Sequence, residues 1–307
     1  MRELNARECE TVLVVTVTPR NAGGSLDLVG LRANCEFLIE SGIKCIMPMC
    51  GTGLVYDVTL AEYEECISTV VDVVSERALV VPGIGPGFGR SIEMGKIAMS
   101  VGVSGVMIMP IVGPASIQGA EQGLRRIIEK VNLPVVIYQR RLDIMPIQHI
   151  VHLCELDSVV GLKYAVDDIK TFQTIVEKTH SDVAFLCGMA EDPALEYLKA
   201  GAVGYSSGMA NFVPKTSLTM LNRYKNGDLI GAEEIRISML PFEDFRGENH
   251  ARYSGSALHS AMDFAGLAGG SVIPFAEEVA DKDLQRLQHI LNPILRLEQA
   301  LVTKRVE

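Results

Sequence analysis

The stretch Val159-Val160-Gly161-Leu162-Lys163-Tyr164 is apolar at both side-chain parities, apart from one lysine near its end. A run apolar on both faces reads as a strand buried on both sides, the condition of a parallel sheet covered by helices. Seven further short β-branched runs share this character: Thr11 to Val17, Lys44 to Met49, Ala78 to Val81, Gly105 to Met109, Pro134 to Tyr138, Val183 to Leu186 and Val203 to Ser206. Amphipathic stretches lie between them at Asp27 to Glu40, Thr59 to Ser75, Ser91 to Ser100, Ser116 to Val131 and Asp168 to Thr179. Each opens on a Ser, Thr or Asp, which suits a helix N-cap. Eight such units in ~215 residues, with no linker between them, predict an α/β fold: a (β/α)8 TIM barrel over residues 1–225 that carries the active site. Beyond Lys225 only helical patterns remain, at Leu229 to Leu240, Ser256 to Ala265 and Asp281 to Val302. They predict a C-terminal helical extension, residues 226–307, packed on the barrel.

Composition narrows the function. The 307 residues carry 28 Lys and Arg against 38 Asp and Glu, a formal net charge of −10, with no long basic run. That balance argues against nucleic acid as a partner. No run of 18 apolar residues occurs, so no membrane span is expected, and the charged N-terminus has no signal-peptide pattern; a cytoplasmic protein is expected. Seven cysteines without a C-x-x-C pair read as reduced thiols. His149 and His152 are the one close histidine pair and lack a third ligand at a recognisable spacing, so they read as surface residues and no metal is expected. Gly83-Ile84-Gly85-Pro86-Gly87-Phe88-Gly89 alternates glycines without forming G-x-G-x-x-G, so it reads as a flexible loop and no dinucleotide cofactor is expected.

In such a barrel, chemistry sits where strands end at their carboxyl side. Lys163 is there, inside an apolar run, and a desolvated lysine is a usable amine nucleophile for a carbonyl. Left open is a lysine that caps the strand and reaches solvent or a carboxylate. Tyr138 ends the preceding strand and can lean over the same mouth as a proton shuttle, or simply pack there. Arg140 and Arg141 follow, and one of them suits a substrate carboxylate. Gly51-Thr52-Gly53 offers backbone N–H groups and a hydroxyl to an anion, and Ser206 and Ser207 add hydroxyls at the last strand.

Taken together, these residues resemble the dihydrodipicolinate synthase and N-acetylneuraminate lyase family of class I aldolase-type barrels. The resemblance runs from Val14 to about Phe212. It rests on Val17-Thr18-Pro19, Cys50-Gly51-Thr52-Gly53 with Thr59, Tyr138, Gly161-Leu162-Lys163, and Gly201 to Ser207 with Asn211 and Pro214. It implies that Lys163 forms a Schiff base with pyruvate or another 2-keto acid and that no cofactor is needed. It implies Tyr138 as the proton shuttle and Thr52, with its neighbours Gly51 and Gly53, as the holder of the C1 carboxylate. Homotetramers built as dimers of dimers are common in the family.

Several positions depart from the synthase pattern: Gly51 replaces a Thr, Leu54 a Glu, Ile111 a Tyr, and Phe242 to Glu248 an Asn-Pro-Ile-Pro segment. The Gly-Thr-Gly turn, Tyr138-Gln139-Arg140 and Tyr205-Ser206-Ser207 are more similar to 5-dehydro-4-deoxyglucarate dehydratases, which dehydrate and decarboxylate an acidic sugar, although those keep the Glu. That similarity implies Arg140 on a distal carboxylate and Ser206 and Ser207 on substrate hydroxyls. The expected function is a Schiff-base lyase, a dehydratase or aldolase of a 2-keto-3-deoxy sugar acid. The alternatives are 4-hydroxy-tetrahydrodipicolinate (dihydrodipicolinate) synthesis and, from another class, a non-catalytic barrel that binds a keto acid.

Overall fold

The computed structural model describes residues 1–303. Nine parallel strand segments form one sheet: β1 (Val12–Val15), β2 (Cys45–Met47), β3 (Leu79–Val80), β4 (Gly83–Ile84), β5 (Val106–Ile108), β6 (Val135–Gln139), β7 (Val159–Tyr164), β8 (Ala184–Cys187) and β9 (Gly204–Ser207). Alternating with them are α1 (Leu28–Glu40), α2 (Leu60–Val74), α3 (Phe88–Val101), α4 (Ile117–Val131), α5 (Ile147–Cys154), α6 (Ile169–Lys178), α7 (Ala194–Lys199) and α8 (Pro214–Lys225). The extension holds α9 (Leu229–Ala251), α10 (Ser256–Phe264) and α11 (Asp281–Thr303).

The sheet runs β3-β2-β1-β9-β8-β7-β6-β5-β4, and its two ends are the same stave. On one side Leu79 and Val81 donate their N–H groups to the carbonyls of Lys44 and Ile46, both at 2.9 Å. On the other, Met107 donates to Pro82 at 2.9 Å and Met109 to Ile84 at 3.0 Å. Residues 79–84 therefore close the ring. Pro82 has no N–H to give, which is why the ladder is interrupted there. This corrects the sequence expectation at one place: Gly83-Ile84 belongs to the third stave and not to the loop after it.

Four of the five expected caps form. Asp27, Thr59, Ser116 and Asp168 accept from the N–H groups of Gly30, Glu62, Gly119 and Thr171 at 2.9 to 3.1 Å, each contributing on the order of 1 kcal/mol. Ser91 is the exception. Gly87, at φ +93°, turns the chain early, so α3 starts at Phe88 and Ser91 falls inside its first turn, donating to the Gly87 carbonyl at 2.8 Å. All seven cysteines are buried and unpaired. His149 and His152 converge on Glu121, a carboxylate from another helix; His149 is largely covered and His152 exposed. Among the described residues no helix is long and apolar enough to cross a membrane.

One irregularity positions the site. Val135 pairs with Val159, but Val136 pairs with Gly161, so Val160 is an extra residue on β7. Without this bulge Tyr138 would face Leu162; with it, Tyr138 faces Lys163. Because side chains alternate along a strand, a one-residue slip decides which of the two enters the barrel lumen.

Several contacts hold the extension on the barrel, among them the Arg236–Asp192 ion pair and a backbone bridge between Arg20 and Gly270. Glu298 of α11 accepts from the N–H groups of Lys215 and Thr216 at 2.9 and 2.7 Å, capping α8, which has no side-chain cap of its own. At another contact, Asn34 of α1 exchanges two hydrogen bonds with the backbone of Ala268, at 2.8 and 3.1 Å. The first extension helix was expected to end at Leu240; α9 continues instead through Pro241 to about Gly247. There Asn249, His250 and Ala251 take left-handed φ values of 51°, 62° and 60°, which reverse the chain over the barrel mouth. Ion pairs of Glu248 with Arg286 and of Arg252 with Glu277 pin this reversal from outside.

Candidate active site

A cavity of about 490 Å³ opens at the carboxyl ends of the strands. Lys163 reaches it from the floor. Its residue is 5% exposed, and no carboxylate pairs with it among the described residues. The open alternative of a lysine reaching solvent or a carboxylate is therefore not what the structure shows. The ammonium instead lies over the ring of Tyr138, 4.1 Å from its centroid. Gly188, beyond the end of β8, makes the room: a Cβ there would come within 2.9 Å of Lys163 Cγ and 2.8 Å of the Tyr164 carbonyl. Cys50 and Cys187 lie close enough to feel the lysine's charge, yet burial pushes both thiols up to about 12, so both stay protonated at neutral pH.

Gly51 and Thr52 line the same cavity. The N–H groups of Gly51, Thr52 and Gly53 donate to no acceptor among the described residues, because the turn's own bonds are made by Leu54 and Val55. Such a concavity of free N–H groups suits a carboxylate. Gly53 itself is buried behind the turn, where its carbonyl accepts from Thr18 at 3.1 Å; its part is to shape the loop. Arg90 holds the loop from outside through the carbonyls of Val55 and Val58. Asn211, a residue of the sequence resemblance, ties the mouth together by bonding Val17 N–H and the carbonyls of Val15 and Gly208.

The two arginines after β6 separate cleanly. Arg141 forms an ion pair with Asp143 at 2.6 Å, whereas Arg140 lines the cavity without an ion pair among the described residues. At the last strand Ser206 and Ser207 both reach the cavity. The Ser207 hydroxyl is committed, however: it donates to Glu191 and accepts from Ala210 N–H at 2.8 Å. Ser206 carries no such bond among the described residues, so of the two hydroxyls it is the less committed.

Four residues in or beneath the cavity wall were not among the candidates drawn from the sequence. Glu191 is fully buried beneath Ser207 and also accepts from Ser217 at 2.8 Å. Burial, and secondarily the charge of Glu243, push its carboxyl up to about 7. Tyr56 stands at the rim, its phenol pushed up to about 12 by burial and by Tyr138. Glu243 and Arg246 come from α9, so the extension adds side chains to the cavity wall. Around the mouth, Met49, Leu54 and Ala190 hold left-handed φ values of 51°, 55° and 60° without being glycine. Each costs about 1–2 kcal/mol, strain of the kind that collects at functional sites.

A model of the dihydrodipicolinate synthetase family matches residues 8–294. A probable 5-dehydro-4-deoxyglucarate dehydratase of Bacillus subtilis is 28% identical over 288 residues, covering 91% of this chain and 92% of the relative. Among solved structures, a dihydrodipicolinate synthase from Oceanobacillus iheyensis superposes with a TM-score of 0.90 at 32% identity, over 94% of this chain and 97% of that one. A dihydrodipicolinate synthase from Bacillus clausii gives the same TM-score at 29% identity, over 94% and 98%.

Proposed function

The chain belongs to the dihydrodipicolinate synthetase family of lyases, and from that premise we propose that it is a Schiff-base lyase acting on a 2-keto-3-deoxy sugar acid, as a dehydratase or aldolase. The observation that carries this reading is the buried amine of Lys163 on the floor of a cavity, set against Tyr138 and without a carboxylate partner among the described residues. The amine attacks the keto carbon, and protons carried by the Tyr138 hydroxyl let the carbonyl oxygen leave as water. The iminium then accepts the electron pair left when a C3 proton departs. In a dehydration the resulting enamine expels the C4 hydroxyl as water. In an aldol cleavage the C4 hydroxyl gives its proton to the Tyr138 oxygen, the C3–C4 pair moves into the iminium and an aldehyde leaves. Hydrolysis returns the amine, so the electron sink is Lys163 and no cofactor enters. Gly51 and Thr52 hold the C1 carboxylate, and Arg140, which has no ion pair among the described residues, holds a distal one.

The name of the Bacillus subtilis relative supports the dehydratase arm. The solved synthases support a second reading, condensation of pyruvate with an aspartate-derived aldehyde. Incubation with pyruvate and borohydride, followed by peptide mass mapping, tests the shared step. A reduced adduct on Lys163 is expected, and its absence overturns the Schiff-base reading in favour of keto-acid binding without turnover. A turnover screen of 2-keto-3-deoxy sugar acids against aspartate semialdehyde then separates lyase from synthase. We also propose a homo-oligomer, a tetramer as a dimer of dimers, supported by the exposed Phe88 and Val112 beside an apolar hollow; light scattering checks it.

A further inference from the structure

Arg246 reaches the cavity from α9 and is held at two points. Its Nε donates to the Ser254 carbonyl at 2.9 Å, and its Nη1 to both oxygens of Glu243 at 2.9 and 3.0 Å. The Arg246 and Glu243 side chains are both only 16% exposed. Nη2 makes no hydrogen bond among the described residues, so two N–H groups are unspent at the cavity wall. A Cβ on Gly208 would lie 3.7 Å from Nη1, which places the guanidinium just past Ser206 and Ser207. The charge of Glu243 is felt by Glu191 beneath Ser207, which locates the carboxylate at the same end of the cavity. Arg140 stands on the other side of the mouth, after β6.

The two arginines differ in charge balance. Arg140 has no ionic partner among the described residues and suits an anion. Arg246 is neutralised by Glu243, so the pair presents fixed donors and acceptors with little net charge. That is the chemistry for neutral oxygens, and a site whose buried polar groups need a hydroxyl discriminates strongly against an analogue lacking it.

We propose that Arg246 and Glu243 form a specificity subsite that reads the hydroxyl groups of a polyhydroxylated 2-keto acid bound at Lys163. This rests on the Schiff-base reading and adds to it the part of the substrate that the extension recognises. Nη2 donates to a substrate hydroxyl oxygen, and the hydroxyl proton is given to a remaining lone pair of Glu243.

The test compares two ligands of equal chain length and charge, a 2-keto-3-deoxyhexarate and 2-oxoadipate, which has no hydroxyl. Half-saturating concentrations for borohydride trapping on Lys163 are measured for the wild type, Arg246→Lys and Glu243→Gln, with pyruvate trapping as the control. In the wild type the hydroxylated acid is expected to trap at concentrations about tenfold to a hundredfold lower. Both variants should bring that ratio close to one. A ratio unchanged in both variants overturns the subsite, as does a loss of equal size for 2-oxoadipate, which would mean a carboxylate contact or a purely structural role. Glu243→Gln decides alone if Arg246→Lys does not fold. Absence of any wild-type pyruvate adduct would instead bring down the Schiff-base reading, and the subsite with it.

Discussion

Tyr138 and Lys163 stand directly opposite each other in the β6–β7 register, with the lysine's ammonium over the face of the tyrosine ring. The ring holds the amine at the cavity floor while the phenol hydroxyl remains available for proton transfer. The two parts of the tyrosine can therefore be separated by mutation.

Tyr138→Phe keeps the ring face and removes only the hydroxyl. Thermal stability should stay within about 0.5 kcal/mol of wild type, whereas kcat should fall by about 10²–10⁴. Stopped-flow or quenched turnover, read beside a melting curve, checks both. Equal kcat would remove the hydroxyl from the mechanism.

Arg140→Ala should weaken distal-carboxylate substrates by about tenfold to a hundredfold, the worth of one hydrogen bond to a charged group. Keto acids without a distal carboxylate should lose little. The comparison is kcat/KM, or trapping, for a diacid against pyruvate. A uniform loss across both would sink the distal-carboxylate role.

Glu191 binds its proton more tightly in the folded chain than in the unfolded one, because burial and Glu243 raise it from about 4.5 to about 7. The stability this contributes is fully present below the unfolded value and is lost as pH rises through about 7. Melting temperature measured between pH 4.5 and 8 should therefore carry a downward component that Glu191→Gln removes. Parallel profiles for the two proteins would contradict it.

Glu298→Ala should cost about 2 kcal/mol, because it leaves the first N–H groups of α8 buried without an acceptor. Urea denaturation at neutral pH measures it. Since Glu298 lies far from the cavity in sequence and caps a helix on the barrel's outside, KM should hardly move.

Much of this was legible in the chain itself. All eight expected staves are present because a strand covered on both faces must be apolar at both parities, and that pattern is written residue by residue. The caps at Asp27, Thr59, Ser116 and Asp168 were legible for the same reason: a cap is a bond to a residue three positions away. Ser91 was misplaced because Gly87's left-handed conformation, not its own side chain, starts α3. Lys163 stood out as a charge inside an apolar run, and Tyr138, Arg140 and Thr52 by their places at strand ends.

What no local pattern held was contact between distant segments. Glu191 looks like any loop glutamate until Ser207 and Ser217 close over it. Glu243 and Arg246 lie beyond the helix expected to end at Leu240, and only the continuation of α9, the reversal at Asn249 to Ala251 and the grip of Ser254 place them above the barrel. The sequence by itself determined the barrel and singled out Lys163, Tyr138, Arg140 and Thr52 as candidates, because burial and capping are satisfied within a few residues. The tertiary structure alone decided that Val160 bulges so that Tyr138 meets Lys163, that Arg140 and not Arg141 faces the cavity, and that the extension completes the wall. Those outcomes depend on register and on which charged groups find partners, and both are settled only when strands and helices far apart in the chain pack together.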